Sequence, residues 1–298
     1  MSSASVMGRA LVVGASGQVG HQIVSILGSG NVVPTSRHAR AGDWLELHLD
    51  TLERAEAEDL VAGLAVDAIY CVGGAADVEY CEGDPTLAMR ANCDGPAALA
   101  AASAVHEVPF VYFSTEYVFD GQAGPYAEDA PPNPINAYGR SKWKGERAVG
   151  LAYPNALILR TTVVYGPDPR ARNFLYTLER TLRAGRALRV PSDQLSTPTY
   201  NADLAAAAVG LVAAGAVGVF HVCGAERLSR FDFALRAAVA MGLDASNIAA
   251  APTAELGQRA PRPLQAGLRS VKLSQMFPSL RMRGVEESIR HWRSAGKP

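Results

Sequence analysis

The chain has 298 residues, 48% of them hydrophobic and 19% charged, as in an ordinary globular protein with one large core or a large domain beside a smaller lobe. Its 28 basic and 29 acidic residues give a formal net charge of -1 without a long run of one sign, which argues against nucleic-acid binding. The 4 cysteines form no C-x-x-C pair and the 6 histidines are scattered, so we expect no metal site and reduced thiols in a cytoplasmic protein.

Two segments bear on export and membranes. Residues 1–8 lack the basic region of an export signal. Residues 204–223 are long enough to cross a bilayer and carry no charge other than a possible one on His221. The Gly215/Gly218 break before a β-rich run instead predicts a buried helix followed by a strand. We therefore expect no membrane span.

In chain order, short β-branched runs alternate with longer helical segments, which predicts a parallel sheet covered by helices on both faces. The predicted strands are residues 11–13, 31–36, 44–49, 68–72, 109–114 and 156–164. The predicted helices are residues 19–27, 52–64 and 85–106, the last with a possible interruption at Gly95-Pro96, and a helix that starts near Asn136.

After residue 166 the pattern becomes less regular, with shorter elements and more Pro and Arg. We expect a Rossmann-like, doubly wound α/β domain over residues 1–166, completed by about residues 200–224, and a smaller substrate-binding lobe over residues 167–298. Such a lobe would cover the carboxyl ends of the strands, where sheets of this kind bind ligands.

A glycine-rich turn links the first predicted strand to the first predicted helix. Its glycine spacing lets the backbone approach a pyrophosphate, and the N-terminus of the helix attracts negative charge. A tight turn without a ligand is the alternative. The predicted dinucleotide-binding residues are Gly14, Ser16, Gly17, Gln18, Val19 and Gly20.

The end of the second strand decides which dinucleotide is favoured. NAD-binding proteins place Asp or Glu there, against the ribose hydroxyls. This chain has Arg37 and Arg40 instead, and a guanidinium pairs with a 2′-phosphate, so NADP is predicted. Alternatively, both arginines are solvated surface charges.

Tyr138 and Lys142 stand four residues apart and therefore on one face of a helix. An adjacent cation favours the ionised phenol, which brings its proton affinity closer to what carbonyl reduction requires. Thr115 ends the fifth strand, where its hydroxyl would point into the crevice and polarise a carbonyl oxygen. The three residues are the predicted catalytic set.

Together with these motifs, residues 160–166, 193–199, 218–221 and 258–263 resemble the dTDP-4-dehydrorhamnose reductase family over nearly the whole chain. The resemblance implies that NADPH delivers hydride to C4 of a nucleotide-linked 4-keto-6-deoxy sugar. Tyr138 would donate the proton, supported by Lys142, while Thr115 binds the carbonyl oxygen.

The resemblance also implies further binding residues. On the cofactor side, these are Asp50 near adenine together with Val72, Gly73 and Gly74. On the substrate side, they are Glu116, Asn173, Gln194 and Arg262.

The chain departs from the family pattern at two places. Glu116 stands where the reductases usually carry Asp, and Thr162-Val163 stands where many carry Ser-Trp beside the sugar. Tyr117 occupies the position at which related dehydratases need a carboxylate, which argues against dehydration.

Two other functions stay open at this point. The chain also resembles the regulatory β subunit of methionine adenosyltransferase, which retains a similar Tyr-Lys-Thr set, so a partner-binding NADP protein is one alternative. A nucleotide-sugar epimerase is another, although Arg37 disfavours a retained NAD. A homodimer is a possible assembly.

Overall fold

The computed structural model describes residues 8–38 and 40–294. Most of the segment that bears on export, the residue Ala39 and the last four residues of the predicted lobe lie outside these ranges. The strands are β1 Ala10–Val13, β2 Val32–Ser36, β3 Leu45–Glu46, β4 Ala68–Cys71, β5 Phe110–Thr115, β6 Leu157–Thr161, β7 Val164–Tyr165, β8 Leu188–Pro191, β9 Leu195–Ser196, β10 Thr199–Tyr200, β11 Gly218–His221, β12 Leu228–Ser229 and β13 Ile248–Ala251.

The helices of the described ranges vary in length from 5 to 16 residues. They are α1 Gln18–Leu27, α2 Arg54–Leu64, α3 Val78–Gly83, α4 Pro85–Met89, α5 Gly95–Val105, α6 Ala137–Ala152, α7 Phe174–Arg183, α8 Asn201–Ala213, α9 Arg230–Ala240, α10 Val271–Met276 and α11 Val285–Ser294. A π-helical turn, Arg90–Asp94, joins α4 to α5.

Within the described ranges, the main sheet has seven strands in the order β11-β6-β5-β4-β1-β2-β3, and each pair is parallel. Helices α1 and α8 pack on one face, while α2, α5 and α6 cover the other. Every residue of β1, β4 and β5 is buried, as expected for strands covered on both faces. The predicted Rossmann-like α/β class is confirmed. The candidate site forms at the carboxyl ends of the strands of this sheet.

The structure differs from the predicted elements at three places. The third strand is reduced to β3, and the break in the long Ala-rich helix is the π-helical turn before Gly95. The predicted sixth strand divides into β6 and β7, since Val163 between them has a φ of +39° that turns the chain out of the main sheet. Residues 204–223 form most of α8 and then β11, as predicted.

A second core lies under α7, α9 and α11 together with β8 and β13. The apolar side chains at its centre include Leu175, Phe233, Ile289 and Trp292. Since α8, β11 and α10 pack on the main core, the smaller region is built from three separate segments of the chain. None of the helices in the described ranges combines the length and the apolarity needed to span a bilayer.

Candidate active site

The glycine-rich turn is shaped by close backbone contacts. Gly14 has a φ of +82°, and a Cβ there would lie 2.8 Å from the backbone nitrogen of Gly73. A Cβ on Gly20 would lie 2.4 Å from the carbonyl oxygen of Gly14. Gly17 is the N-cap of α1, whose first turn carries no acidic side chain that would repel an anion from the positive end of the helix. The geometry therefore fits a phosphate cradle.

The other predicted residues of the turn differ in their environment. The Val19 side chain is buried in the main core, so only its backbone can face a ligand. Ser16 is half-buried. The Gln18 side chain donates a hydrogen bond to the Val164 carbonyl at 3.2 Å, so it holds β7 against α1.

The predicted adenosine side of the site is formed by the ends of β2, β3 and β4. Arg37 and Asp50 form a salt bridge at 2.7 Å, with Arg37 about half exposed. Burial would raise the pKa of Asp50, but the hydrogen bond and charge of Arg37 outweigh it and lower this pKa. Residues 72–74 run beside the glycine-rich turn, because the Val72 and Gly73 N–H groups both donate to the Val13 carbonyl.

The three predicted catalytic residues come together on α6 and the end of β5. Thr115 is the last residue of β5, and its side chain interacts with the phenol of Tyr138. Tyr138, Lys142 and Glu146 follow one another at intervals of four on the buried face of α6. Tyr138 is half-buried, whereas Lys142 is buried. The phenol therefore faces the hydroxyl at the sheet edge while its ammonium neighbour lies deeper.

Glu146 anchors this helix to the sheet. Its carboxylate accepts two hydrogen bonds from the Arg160 guanidinium of β6, at 2.9 and 2.7 Å, and one from the Ser114 hydroxyl of β5. Both partners of the ion pair are almost completely buried. Because Glu146 lies one helical turn beyond Lys142, this pair fixes the rotation of α6 that points Tyr138 and Lys142 at the strand ends.

Burial is the main influence on the pKa values of Tyr138 and Lys142, the predicted catalytic pair. Desolvation lowers the pKa of Lys142 to about 8, with an opposing contribution from nearby acidic groups. Desolvation also raises the pKa of Tyr138, although the interaction with Thr115 lowers it. A phenol with a raised pKa stays protonated at neutral pH, so Tyr138 holds a proton that it could transfer. The direction of the shift is opposite to the lowering that we expected from Lys142, because burial of the phenol outweighs it.

Asn92, in the π-helical turn, contributes to this site and was missed in the sequence. Its amide oxygen accepts from Ala75 N–H at 2.9 Å, and its NH2 group donates to the Ala75 carbonyl and to the Ser141 hydroxyl. Its backbone carbonyl accepts from the Tyr112 hydroxyl, and the Lys142 ammonium lies 4.0 Å from the centre of the Tyr112 ring. An Asn within an Ala-rich helix was the only available signal.

The predicted substrate residues fall into two groups. Glu116 and Arg262 lie near the catalytic residues: Glu116 is buried and accepts the Gly267 N–H at 2.8 Å, and Arg262 interacts with Tyr117. Arg262 also pairs with Glu79 of α3 at 2.6 Å.

Gln194 and Asn173 make mainly structural hydrogen bonds. Gln194 donates to the side chains of Thr253 and Gln258. Asn173 caps α7 and donates to the Gly166 carbonyl and to the side-chain oxygen of Gln18. The roles of all these residues in binding stay predictions.

Arg230, the first residue of α9, is a second site residue that sequence reasoning missed. Its guanidinium lies 4.4 Å from the centre of the Phe174 ring, and burial lowers its pKa. It is close enough to Tyr117, Glu116 and Arg262 to interact electrostatically with each. An arginine that opens a helix far along the chain carried no motif that could have indicated this position.

The family model of the RmlD substrate binding domain matches residues 8–295. The chain belongs to this family. Among RmlD relatives, the probable low-salt glycan biosynthesis reductase Agl14 of Haloferax volcanii is 35% identical, over 87% of this chain and 89% of that protein. The dTDP-4-dehydrorhamnose reductase of Mycobacterium tuberculosis is 31% identical, over 96% of this chain and 90% of that protein.

Solved structures of RmlD relatives have the same fold. The crystal structure of dTDP-4-dehydrorhamnose reductase from Bacillus anthracis in complex with NADP has a TM-score of 0.85 and 27% identity to this chain. The match covers 97% of this chain and 99% of that one. The resemblance found in the sequence motifs is thereby confirmed at the level of the family.

Proposed function

We propose that this protein uses NADPH to reduce the C4 keto group of a nucleotide-linked 4-keto-6-deoxy sugar. The observation that carries the proposal is the convergence of Thr115, Tyr138 and Lys142 at the carboxyl edge of the sheet. The names of the relatives, which include dTDP-4-keto-6-deoxy-D-glucose reductase and dTDP-4-dehydrorhamnose reductase, support the same reaction class.

The residues of the cofactor region fit a dinucleotide. The glycine-rich turn is tightly packed, since Cβ atoms on Gly14 and Gly20 would collide with backbone, and it leads directly into the N-terminus of α1, which attracts a pyrophosphate. Arg37, about half exposed at the end of β2, is available to pair with a 2′-phosphate once its bond to Asp50 is exchanged. NADP in the related Bacillus anthracis structure supports this choice of dinucleotide.

The chemistry divides between the cofactor and three side chains. Bound NADPH supplies the hydride that goes to the carbonyl carbon. Thr115 and Tyr138 hold the carbonyl oxygen by hydrogen bonds, and Tyr138 transfers its phenolic proton to that oxygen as negative charge develops. Lys142, while protonated, stabilises the phenolate that remains.

The remaining polar residues of the cleft define the proposed substrate side. Arg230 and Arg262 lie beside Tyr117, and they would suit an anionic nucleotide portion for which Arg262 exchanges its bond to Glu79. The region after residue 166 serves as the substrate-binding lobe in this proposal. The four cysteines are free and buried, which supports the proposed cytoplasmic location of the protein, and a homodimer stays a prediction.

The test is reduction of a panel of nucleotide-linked 4-keto-6-deoxy sugars, followed by the loss of absorbance of NADPH. We expect turnover with at least one sugar, and Tyr138→Phe should lower kcat by about 100-fold or more because the transferable proton is lost. The same variant should bind NADPH as the unchanged protein does. Lack of turnover across the panel, or full activity of Tyr138→Phe, would contradict the proposal.

A further inference from the structure

The loop of residues 166–173, between β7 and α7, crosses the first turn of α1. The Asn173 side chain, at one end of the loop, donates to the side-chain oxygen of Gln18 at 3.1 Å. Near the other end, Asn201 donates to the Pro167 carbonyl at 2.6 Å and also contacts the Gln18 carbonyl at 3.4 Å. Both ends of the loop are therefore tied to the residue that begins the helix of the glycine-rich turn.

Asp168 organises the interior of this loop. Its buried carboxylate accepts the N–H groups of Arg170 at 3.0 Å and Arg172 at 2.9 Å, while its own carbonyl accepts the N–H of Ala171. The Tyr176 hydroxyl accepts the Asp168 N–H at 3.2 Å. The backbone around Arg170 is thus held in one conformation by hydrogen bonds within the loop and from α7.

The Arg170 guanidinium lies over the glycine-rich turn. Its Nη2 atom is 3.3 Å from the position that a Cβ on Gly17 would occupy, and Gly17 is the N-cap of α1. Arg170 is exposed, and among the described residues no carboxylate forms an ion pair with it. An arginine without an acidic partner is therefore positioned beside the surface proposed to receive a pyrophosphate.

We propose that Arg170 binds the pyrophosphate of the dinucleotide beside the N-terminus of α1. The inference depends on the proposed NADP cofactor, and it adds a cationic ligand to a cradle otherwise made of backbone N–H groups and the helix terminus. Because Arg170 comes from the loop that leads to α7, cofactor binding then connects the main sheet with the smaller region. A guanidinium can make two parallel hydrogen bonds to one phosphate and adds a full positive charge, whereas backbone N–H groups carry only partial charges.

Three ligands separate a pyrophosphate contact from other effects of charge. NADP contains both the pyrophosphate and the 2′-phosphate, ADP-ribose contains only the pyrophosphate, and 2′-AMP contains only the 2′-phosphate. Dissociation constants for all three are measured by calorimetry on the unchanged protein, Arg170→Ala and Arg172→Ala. Arg172 is the matched control, because it is also exposed, lies in the same turn and carries the same charge.

Arg170→Ala should bind NADP and ADP-ribose about tenfold more weakly, with 2′-AMP changed less than about twofold. Arg172→Ala should leave all three affinities within about twofold. Arg170→Lys, which keeps the charge without the planar fork, should restore part of the loss. Equal affinities of the two alanine variants for ADP-ribose would overturn this inference alone, whereas no NADP binding by the unchanged protein would overturn the proposed function with it.

Discussion

Glu116 adjoins Thr115 and makes a structural hydrogen bond of its own, while its contact with substrate stays a prediction. Its carboxylate accepts the Gly267 N–H and lies near the Thr162 side chain, so it joins the end of β5 to a loop from the C-terminal part of the chain. Desolvation raises its pKa to about 7, against the lowering effect of these two neighbours and of Arg230. A buried carboxyl group that titrates near neutral pH makes the joint between these segments sensitive to pH.

Glu116 should make stability fall as pH rises. Its pKa is near 4.5 in the unfolded chain and about 7 when folded, so between these values the folded state binds more protons. Its contribution is therefore fully present below pH 4.5 and is lost as pH rises through 7, by at most about 3 kcal/mol. Glu116→Gln should remove this component, so its stability relative to the unchanged protein should increase between pH 4.5 and 8.

Urea unfolding at several pH values measures this difference. The change across pH is the readout, because any altered hydrogen bonding to Gln contributes similarly at each pH. Glu56→Gln, at an exposed position in α2, is the matched control and should produce no such trend. A constant difference between Glu116→Gln and the unchanged protein would mean that Glu116 does not titrate in this window.

At the scale of elements, α6 presents the predicted catalytic side chains only because two of its three glycines leave no side chain at close backbone contacts. A Cβ on Gly139 would lie 2.1 Å from the Tyr117 carbonyl oxygen, and a Cβ on Gly145 would lie 2.1 Å from the Asn92 carbonyl oxygen. The helix therefore packs directly against the backbone that follows β5 and against the π-helical turn. Gly150 is on the same helix, but nothing lies within 4 Å of a Cβ there.

These glycines give a matched pair of substitutions on one helix. Gly145→Ala should lower the free energy of unfolding by about 1–3 kcal/mol, because α6 must move away from the π-helical turn. The same movement should lower the activity by about tenfold, since Tyr138 and Lys142 move with the helix. Gly150→Ala should instead raise stability by about 0.5–1 kcal/mol through helix propensity. Urea unfolding of both variants checks this, and equal stabilities would contradict the packing argument.

The main sheet and α6 could be predicted because their signals are local. Apolar runs indicate strands buried on both faces. Gly or Asn at the start of a helix indicates the turns that follow the strands at the carboxyl edge of the sheet. The split between β6 and β7 could not be predicted, because a positive φ at Val163 runs against the preference of a β-branched residue. Tertiary contacts impose that conformation, and they are not visible in the local pattern.

The residues of the site that belong to local motifs could also be predicted from the sequence. Tyr138 and Lys142 stand four residues apart, which places them on one face of a helix. Thr115 could be placed because it ends a predicted strand. Asn92 and Arg230 reach the same region through long-range packing, and neither forms a motif with its neighbours in sequence. Their contribution follows from the topology, which brings distant segments to one edge of the sheet.

At the scale of the whole molecule, two cores meet across the first turn of α1. The main core lies under α1 and α8, and the smaller one lies under α7 and α9. Asn173 spans the boundary, since it caps α7 and reaches the Gln18 side chain and the Gly166 carbonyl. The division into domains at residue 166 stays a prediction, but this junction is held by specific hydrogen bonds.

Substitution of Asn173 separates a structural role from the predicted contact with substrate. The amide nitrogen and the amide oxygen of its side chain both have hydrogen-bond partners in the protein, and the side chain is buried. Asn173→Ser keeps an oxygen that can cap α7 but removes both N–H donors, so stability should fall by about 1–3 kcal/mol. Affinity for NADP should fall severalfold, because Gln18 loses a partner beside the glycine-rich turn, while KM for the sugar should stay unchanged.

The matched control is Asn31→Ser, because Asn31 is exposed and its side chain makes a single hydrogen bond, to the Leu27 carbonyl. It should change stability by less than about 0.5 kcal/mol. Urea unfolding, NADP calorimetry and steady-state kinetics on both variants distinguish the two roles of Asn173. A raised KM for the sugar with unchanged stability would support direct contact of Asn173 with substrate. It would contradict a structural role of Asn173 between the two cores, because replacing a side chain that only recognises substrate leaves the folded state unaffected.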